Sequence, residues 1–306
     1  MTSSGITKKD VIIMKVCYLS YPLDLSKKYD PSSVAMGYFD GVHLGHQKVV
    51  ETAIHHAKNK KLASGVMTFH PHPREVLGKS GYSSYLTPLE DKLQILERMG
   101  VDIAYVVQFS PALSRVQPQD FIENFLIPLK IKHVVAGFDY KFGSKGTGTP
   151  EYMKQWSRGR FEVYIINPIK RYDAKVGSTL IREYVKQGNV SVVNELLGRP
   201  YYIEGESIGL AQDKRASEKD IVKIMVPKPY LLPEKGHFQV TVYTERGTCS
   251  GLLMIKPRTV YSEKPDQLEL EMTNSRGIVA ENTMIGIEFL DIINKYQSQM
   301  FEYTLA

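Results

Sequence analysis

Val34-Ala35-Met36-Gly37-Tyr38-Phe39-Asp40-Gly41-Val42-His43-Leu44-Gly45-His46-Gln47-Lys48-Val49-Val50 decides how the rest of the chain is read. The apolar run from Ser33 to Met36 predicts a buried parallel strand that ends at Gly37. Helical periodicity then begins, with Gln47, Val50, Ala53, Ile54 and Ala57 at helical spacing. His43 to His46 therefore fall in the turn and the first helical residues. A helix N-terminus offers unpaired N–H groups and the positive end of the macrodipole, which together attract anions. Imidazole donates there too, and His43 and His46, three residues apart, can share one side of the first turn and face a single phosphate chain. Gly37, Gly41 and Gly45 allow the backbone to approach a ligand closely. A chance His-x-Gly-His on an amphipathic helix is the competing reading, but average composition produces that pattern rarely. The stretch predicts a phosphate site.

Working outward, 306 residues suffice for two domains with a core each. The basic excess belongs to the first of them: 26 basic against 18 acidic side chains over residues 1–198, and 13 against 15 over 199–306. Anionic small molecules explain that excess as well as nucleic acid would. Cys17 and Cys249 lie far apart, form no metal or redox spacing and suit a reducing compartment. No apolar stretch approaches a bilayer span and Met1 to Asp10 lacks a signal-peptide layout, so a soluble cytoplasmic protein is expected. Residues 1–13 precede Met14 and read as a tag remnant or an over-long start.

Along the chain, Val11 to Tyr18 reads as a strand, Lys48 to Lys60 as the continuing helix, and Ser64 to Phe69 as a second buried strand. His70-Pro71-His72-Pro73-Arg74 follows, and its prolines point to an extended, non-helical loop at a carboxyl strand end, where open α/β sheets place ligands. Pro88 to Met99 predicts a helix with Leu89, Leu93 and Leu96 on one face. Ile103 to Phe109 reads as a strand, Gln117 to Leu129 as a helix, and His133 to Gly137 as a strand ending in Phe138-Asp139-Tyr140-Lys141-Phe142-Gly143. Glu151 to Ser157 and Phe161 to Ile166 add a helix and a strand, and Ser178 is the expected N-cap of a helix carrying Arg182. This alternation predicts a parallel sheet with helices on both faces, a Rossmann-like α/β architecture. From Tyr201 onward, short alternating runs between Gly, Pro and charged turns predict a small antiparallel barrel or sandwich. His55, His56, His133 and His237 have no partner at catalytic spacing and read as ordinary surface or core residues.

Gly37 to Gln47 resembles the signature of the adenylyltransferase module of bacterial bifunctional riboflavin kinase/FMN adenylyltransferases, the FAD synthetases. Three later segments carry the resemblance further: Thr68 to Pro73 is similar to a Thr-Phe-x-Pro-His-Pro loop, Gly137 to Gly143 to a Gly-x-Asp/Asn-Phe-x-Phe-Gly segment, and Val176 to Arg182 to an Ile-Ser-Ser-Thr-x-Ile-Arg segment. The resemblance implies that ATP and FMN react to give FAD and pyrophosphate, with Mg²⁺ carried on ATP and no protein metal cage. It further implies His43, His46 and Arg182 as catalytic, with Gly37, Phe39, Asp40, Gly41, Gly45, Ser178 and Thr179 joining them around ATP. His70, Pro71, His72, Pro73, Asp139, Tyr140 and Phe142 would lie against the flavin. Gly177 stands where the family shows the first of two serines. On this basis residues 14–187 are expected to form the nucleotidyltransferase domain, 188–200 a linker and 201–306 a riboflavin-kinase-like β-barrel.

The kinase motif is where the chain departs. Glu218 to Lys223 occupies the place of Gly-Phe-Pro-Thr-Ala-Asn, so the expected metal-binding Thr and Asn are missing, and Gly209 to Arg215 lacks a glycine-rich loop. Glu269 stands near the position of the kinase base. An FAD synthetase without kinase activity is therefore expected. The alternatives are a bifunctional enzyme with an atypical kinase site and a non-enzymatic flavin-sensing regulator. The slightly acidic barrel, without an aromatic and basic RNA-binding motif, argues against nucleic acid.

Overall fold

The computed structural model describes residues 13–78, 83–212, 219–256, 267–273 and 278–293. The chain divides into two compact units that interleave in sequence: Met1–Phe39, His46–Ser80 and Leu89–Pro168 form the first, and Asp40–Gly45, Gly81–Pro88 and Ile169–Ala306 the second.

The first unit is built on a six-stranded parallel sheet of β1 (Lys15–Leu19), β2 (Ser32–Met36), β3 (Ala63–His70), β4 (Ile103–Gln108), β5 (Ile131–Gly137) and β6 (Glu162–Ile166), in the order β1-β4-β3-β2-β5-β6. Every residue of β2 is buried, as expected of a parallel strand hydrogen-bonded on both edges, here to β3 and β5. The strand order reverses direction around β2, so the carboxyl ends of β2, β3 and β5 are neighbours at the switch point. Helix α1 (Leu44–Lys60) buries Val49, Val50, Ala53, Ile54 and Ala57 at the expected spacing.

Two local readings are corrected. Pro73 opens a short helix, α2 (Pro73–Val76), with His72 as N-cap, because proline at the first helical position loses no intrahelical bond. After α3 (Leu89–Arg98), the segment expected as one helix splits into α4 (Pro118–Phe121) and a π-helical turn over Ile122–Leu126, while Phe121, Ile122 and Phe125 stay buried. Helix α5 (Pro150–Trp156) precedes β6.

In the second unit a two-strand hairpin, β7 (Lys170–Arg171) and β8 (Ala174–Lys175), leads to α6 (Ser178–Gln187) and α7 (Val190–Leu197). A closed antiparallel barrel follows: β9 (Tyr201–Gln212), β10 (Lys219–Met225), β11 (Gly236–Thr244), β12 (Gly247–Ile255), β13 (Gln267–Thr273) and β14 (Met284–Ile292), paired in the order β10-β13-β12-β11-β14-β9 with β9 closing on β10. Closure removes exposed sheet edges, and alternate residues such as Val222, Ile224, Leu268 and Leu270 fill the interior. Among the described residues no helix is long and apolar enough to cross a membrane.

Candidate active site

In the first unit the carboxyl ends of three adjacent strands carry the expected motifs. Backbone leaves β2 at Gly37, whose N–H donates to the Met67 carbonyl at 3.2 Å. A Cβ on Gly37 would lie 2.8 Å from the Phe39 ring, so only glycine lets that ring lie back over the strand end. Phe39 is 1% exposed, with its ring 5.2 Å from the His46 imidazole in an edge-on arrangement. The structure thus makes Phe39 a buttress for His46 rather than an open ATP contact.

Beyond β3, His70 is exposed while Pro71, His72 and Pro73 are half-buried, and the His70–Pro71 peptide is cis. The His72 imidazole accepts the Arg74 N–H through Nδ1 at 2.9 Å and its ring lies 4.0 Å from that of Tyr38. Beyond β5, Asp139 is exposed. Tyr140 has a buried hydroxyl without a hydrogen-bond partner among the described residues, and burial pushes that phenol well above its ordinary range. Phe142 is buried against Phe121 and Tyr152, with ring centroids at 5.7 and 6.3 Å. Phe142 is thus held by aromatic packing at the end of this segment.

One residue tying these strand ends together was not singled out from the sequence. Lys92, on α3, is 2% exposed, and its ammonium donates to the Tyr38 carbonyl at 2.9 Å and to Thr68 Oγ1 at 3.3 Å. It also sits 4.3 Å from the centre of the Tyr38 ring, a cation–π distance. Thr68 Oγ1 donates to the same Tyr38 carbonyl at 2.8 Å. Removing an ammonium from water costs several kcal/mol, so this cation persists where two loops converge because carbonyl, hydroxyl and ring replace its hydration.

In the second unit the loop 40–45 gathers the remaining residues. Asp40 is 4% exposed; its Oδ1 accepts the backbone N–H groups of Leu86 and Thr87 at 2.9 and 3.2 Å, and its Oδ2 lies 3.2 Å from Arg182 Nη1. A carboxylate engaged by three donors is itself fixed and orients the guanidinium beside it. Gly177, not Ser178, is the N-cap of α6; Ser178 is the first helical residue, and its Oγ donates to the Asp40 carbonyl at 2.9 Å. Thr179 is exposed in the same first turn, which contains no acidic residue. His43 is 5% exposed, and a Cβ on Gly45 would come within 3.1 Å of its Cε1, so glycine there makes room for the imidazole.

Phe39, Gly41 and Val42 all have positive φ, at 58°, 83° and 41°. For a β-branched residue such as Val42 this is an outlier of the kind that clusters at ligand sites and costs on the order of 1–3 kcal/mol. The Arg199 guanidinium, in the turn after α7, spans this bend with Nη2 2.7 Å from the Gly41 carbonyl and Nη1 3.1 Å from that of Val42.

Elsewhere in the first unit His56 and His133, read as ordinary surface or core residues, lie side by side, His133 buried and His56 half-buried. The His56 ring lies 5.5 Å from that of His133 and stacks at 3.7 Å on Tyr164. Burial holds both imidazoles below the usual histidine range, against the opposing pull of Glu162. A cavity of 320 Å³ on the barrel is lined by Glu204, Glu245 and Tyr243 among others; with no basic side chain in its lining, it has the wrong sign for phosphates.

The FAD synthetase family model matches residues 25–180, a little over half the chain. A bifunctional riboflavin kinase/FMN adenylyltransferase of Bacillus subtilis is 36% identical over 263 residues, which cover 85% of this chain and 83% of that protein. The chain belongs to the FAD synthetase family. A bifunctional relative from Listeria monocytogenes is 40% identical over 79% of this chain and 78% of its own length, and a protein named FAD synthetase from the same organism is 29% identical over 56% and 70%. The crystal structure of a protein described as a macrolide-efflux protein from Streptococcus pneumoniae superposes with a TM-score of 0.82 over 95% of this chain and 98% of that one; at 23% identity it shows the shared fold alone. The matched span takes in the strand-end motifs and Ser178 and Thr179 but stops before Arg182.

Proposed function

We propose that this FAD synthetase transfers the AMP part of ATP to FMN, giving FAD and pyrophosphate, and does not phosphorylate riboflavin. The observation that carries the reading is the His43-x-x-His46 pair at the start of α1, behind a fully buried parallel strand, in a chain of this family. The FMN phosphate oxygen attacks the α-phosphorus of ATP, the bond to the bridging oxygen breaks, and pyrophosphate leaves with the electron pair. The demand on the protein is electrostatic, because two anions must meet and charge must move onto the departing group.

His43, His46 and the N–H groups opening α1 hold ATP phosphates, and Ser178, Thr179 and Arg182 bind the triphosphate from the start of α6. Asp40 acts through Arg182 rather than on the nucleotide. His70 to Pro73 and Asp139 bound the flavin, with the ring of Tyr140 behind them. Among the described residues no group of three or more His, Cys, Asp or Glu side chains could hold a metal. Mg²⁺ enters bound to ATP, as part of the substrate.

Residues 14–187 serve as the FMN adenylyltransferase domain, 188–200 as a linker and 201–306 as a kinase-like barrel without kinase chemistry, in a cytoplasmic protein. Lys223, where the family motif ends in an amide, lies exposed on the barrel's outer face opposite Glu269. Glu269, the nearest candidate for a kinase base, is paired with the Lys256 ammonium at 2.6 Å. The side chains at 210–220, including the first half of the replaced motif, lie outside the described residues. A bifunctional enzyme is the second reading, favoured by the two relatives of that name, whose similarity is too long to stop before the barrel. Chromatography of the flavins after incubation with Mg·ATP and FMN tests the main reading: FAD and pyrophosphate in equal amounts are expected, and unchanged FMN would refute it.

A further inference from the structure

Arg199 stands outside every motif discussed, yet its guanidinium reaches 157 and 158 residues back along the chain to grip the opening loop. A third acceptor, the Leu197 carbonyl at 3.3 Å from Nη1, fixes the same group to the end of α7. The base of the side chain is equally fixed. Arg199 N–H donates to the Asn194 carbonyl at 3.2 Å, and the Asn194 amide bonds the Phe289 carbonyl of β14 at 2.8 Å and accepts the Tyr201 N–H of β9 at 2.7 Å. A continuous line of hydrogen bonds therefore runs from two barrel strands through Arg199 to Gly41 and Val42.

The N–H and C=O of a trans peptide point in opposite directions. Holding the Gly41 and Val42 carbonyls toward Arg199 therefore turns the N–H groups of Val42 and His43 the other way. It also withdraws two partial negative charges from the side that must accept phosphate, and consecutive N–H groups presented at a bend form an anion-binding concavity. A fork is needed to reach two carbonyls at 2.7 and 3.1 Å; the single ammonium of lysine cannot reproduce that planar pair.

We propose that Arg199 is a positioning residue for nucleotidyl transfer, holding the Gly41 and Val42 carbonyls so that the Val42 and His43 N–H groups and the His43 imidazole are aimed at the ATP phosphates. The proposal rests on the FMN adenylyltransferase reading above. It gives the barrel a function independent of kinase chemistry: β9 and β14 anchor the arginine that shapes the nucleotide loop.

The test uses the full chain with Arg199→Met, Arg199→Lys and Arg199→Ala. Steady-state kinetics should show kcat lowered about 100-fold in Arg199→Met, the scale of a small misplacement of reacting groups, with KM for FMN unchanged. Calorimetry with Mg·ATP alone, in which no turnover occurs, should show affinity weakened about tenfold. Arg199→Lys should recover little of either. Millimolar guanidinium should restore part of the Arg199→Ala rate but none of the Arg199→Met rate, because methionine fills the vacated space. A residue that only braced the fold would lower the melting temperature and leave kcat, Mg·ATP affinity and guanidinium response untouched. Variants whose kcat and Mg·ATP affinity stay within about threefold of wild type would overturn the proposal. Should Arg199→Met fail to fold, Arg199→Lys decides the same question. Absence of FAD from the wild type would instead defeat the functional reading, and the Mg·ATP affinities would still judge Arg199.

Discussion

The carboxyl ends of β2, β3 and β5 and the outer face of the barrel differ in what polar residues are doing there. At the strand ends, a buried ammonium at Lys92, a glycine without room for a Cβ at Gly37 and positive φ at Phe39 are all retained at a cost to stability. Such features persist where geometry matters more than stability. On the barrel, Lys223 and Glu269 occupy outward positions beside buried apolar neighbours such as Val222, Ile224, Leu268 and Leu270, in the register of an ordinary antiparallel pair. Hydrophobic alternation keeps a barrel closed whether or not its face carries chemistry, so fold and activity can part there.

Breaking the strand-end side of this contrast should have the larger effects. His46→Ala removes the proposed phosphate donor, whose ring packs edge-on against Phe39, and FAD formation should fall about 10³-fold, the upper range for losing one donor to developing charge. Circular dichroism of that variant should match wild type, because His46 is only partly buried. Lys92→Met should act through Tyr38 and Thr68. The proposed flavin loop loses its tie to the end of β2, KM for FMN should rise about tenfold, and the melting temperature should change little, since methionine replaces a desolvated charge with an apolar chain of similar length. A large fall in kcat with KM intact would show that Lys92 does not act through the flavin loop.

A smaller effect belongs to the sheet's other region, around His133, which faces His56 and Glu162, with Lys60 also within electrostatic reach. Burial lowers its proton affinity in the folded chain below the ordinary histidine value of 6.5. The unfolded chain therefore binds more protons as pH falls through that range, and stability contributed by the neutral imidazole above it is lost on acidification. The melting temperature should drop between about pH 7 and pH 5.5, the span of an ordinary histidine titration, and the slope should be shallower in His133→Asn. An unchanged slope would show that His133 does not titrate with unfolding.

The parts of this molecule legible in its sequence are those whose signal is local. The run into Gly37 and the His43–His46 spacing declare a strand, a turn and a helix start within one window, and the structure places β2 and α1 there. Lys92 was hidden because a lysine in a helix beside Leu89, Leu93 and Leu96 reads as a solvated side chain; only the contact with Tyr38, 54 residues away, makes it a buried clamp. Arg199 was hidden for the same reason in a Gly-Arg-Pro turn. Ser178 shows how a correct helix can carry the wrong cap: its hydroxyl is spent on the Asp40 carbonyl, 138 residues away, so Gly177 takes the cap position. β9 carries a weak strand signal because Gly205 and Gly209 interrupt its alternation, although pairing to β10 and β14 carries it through.

The measurement that bears most directly on the divided molecule is flavin product analysis with Mg·ATP, supplying FMN in one reaction and riboflavin in another. The account predicts FAD from FMN and no phosphorylated product from riboflavin. FMN or FAD arising from riboflavin would contradict it, by showing that the barrel still carries out the chemistry its motif no longer spells.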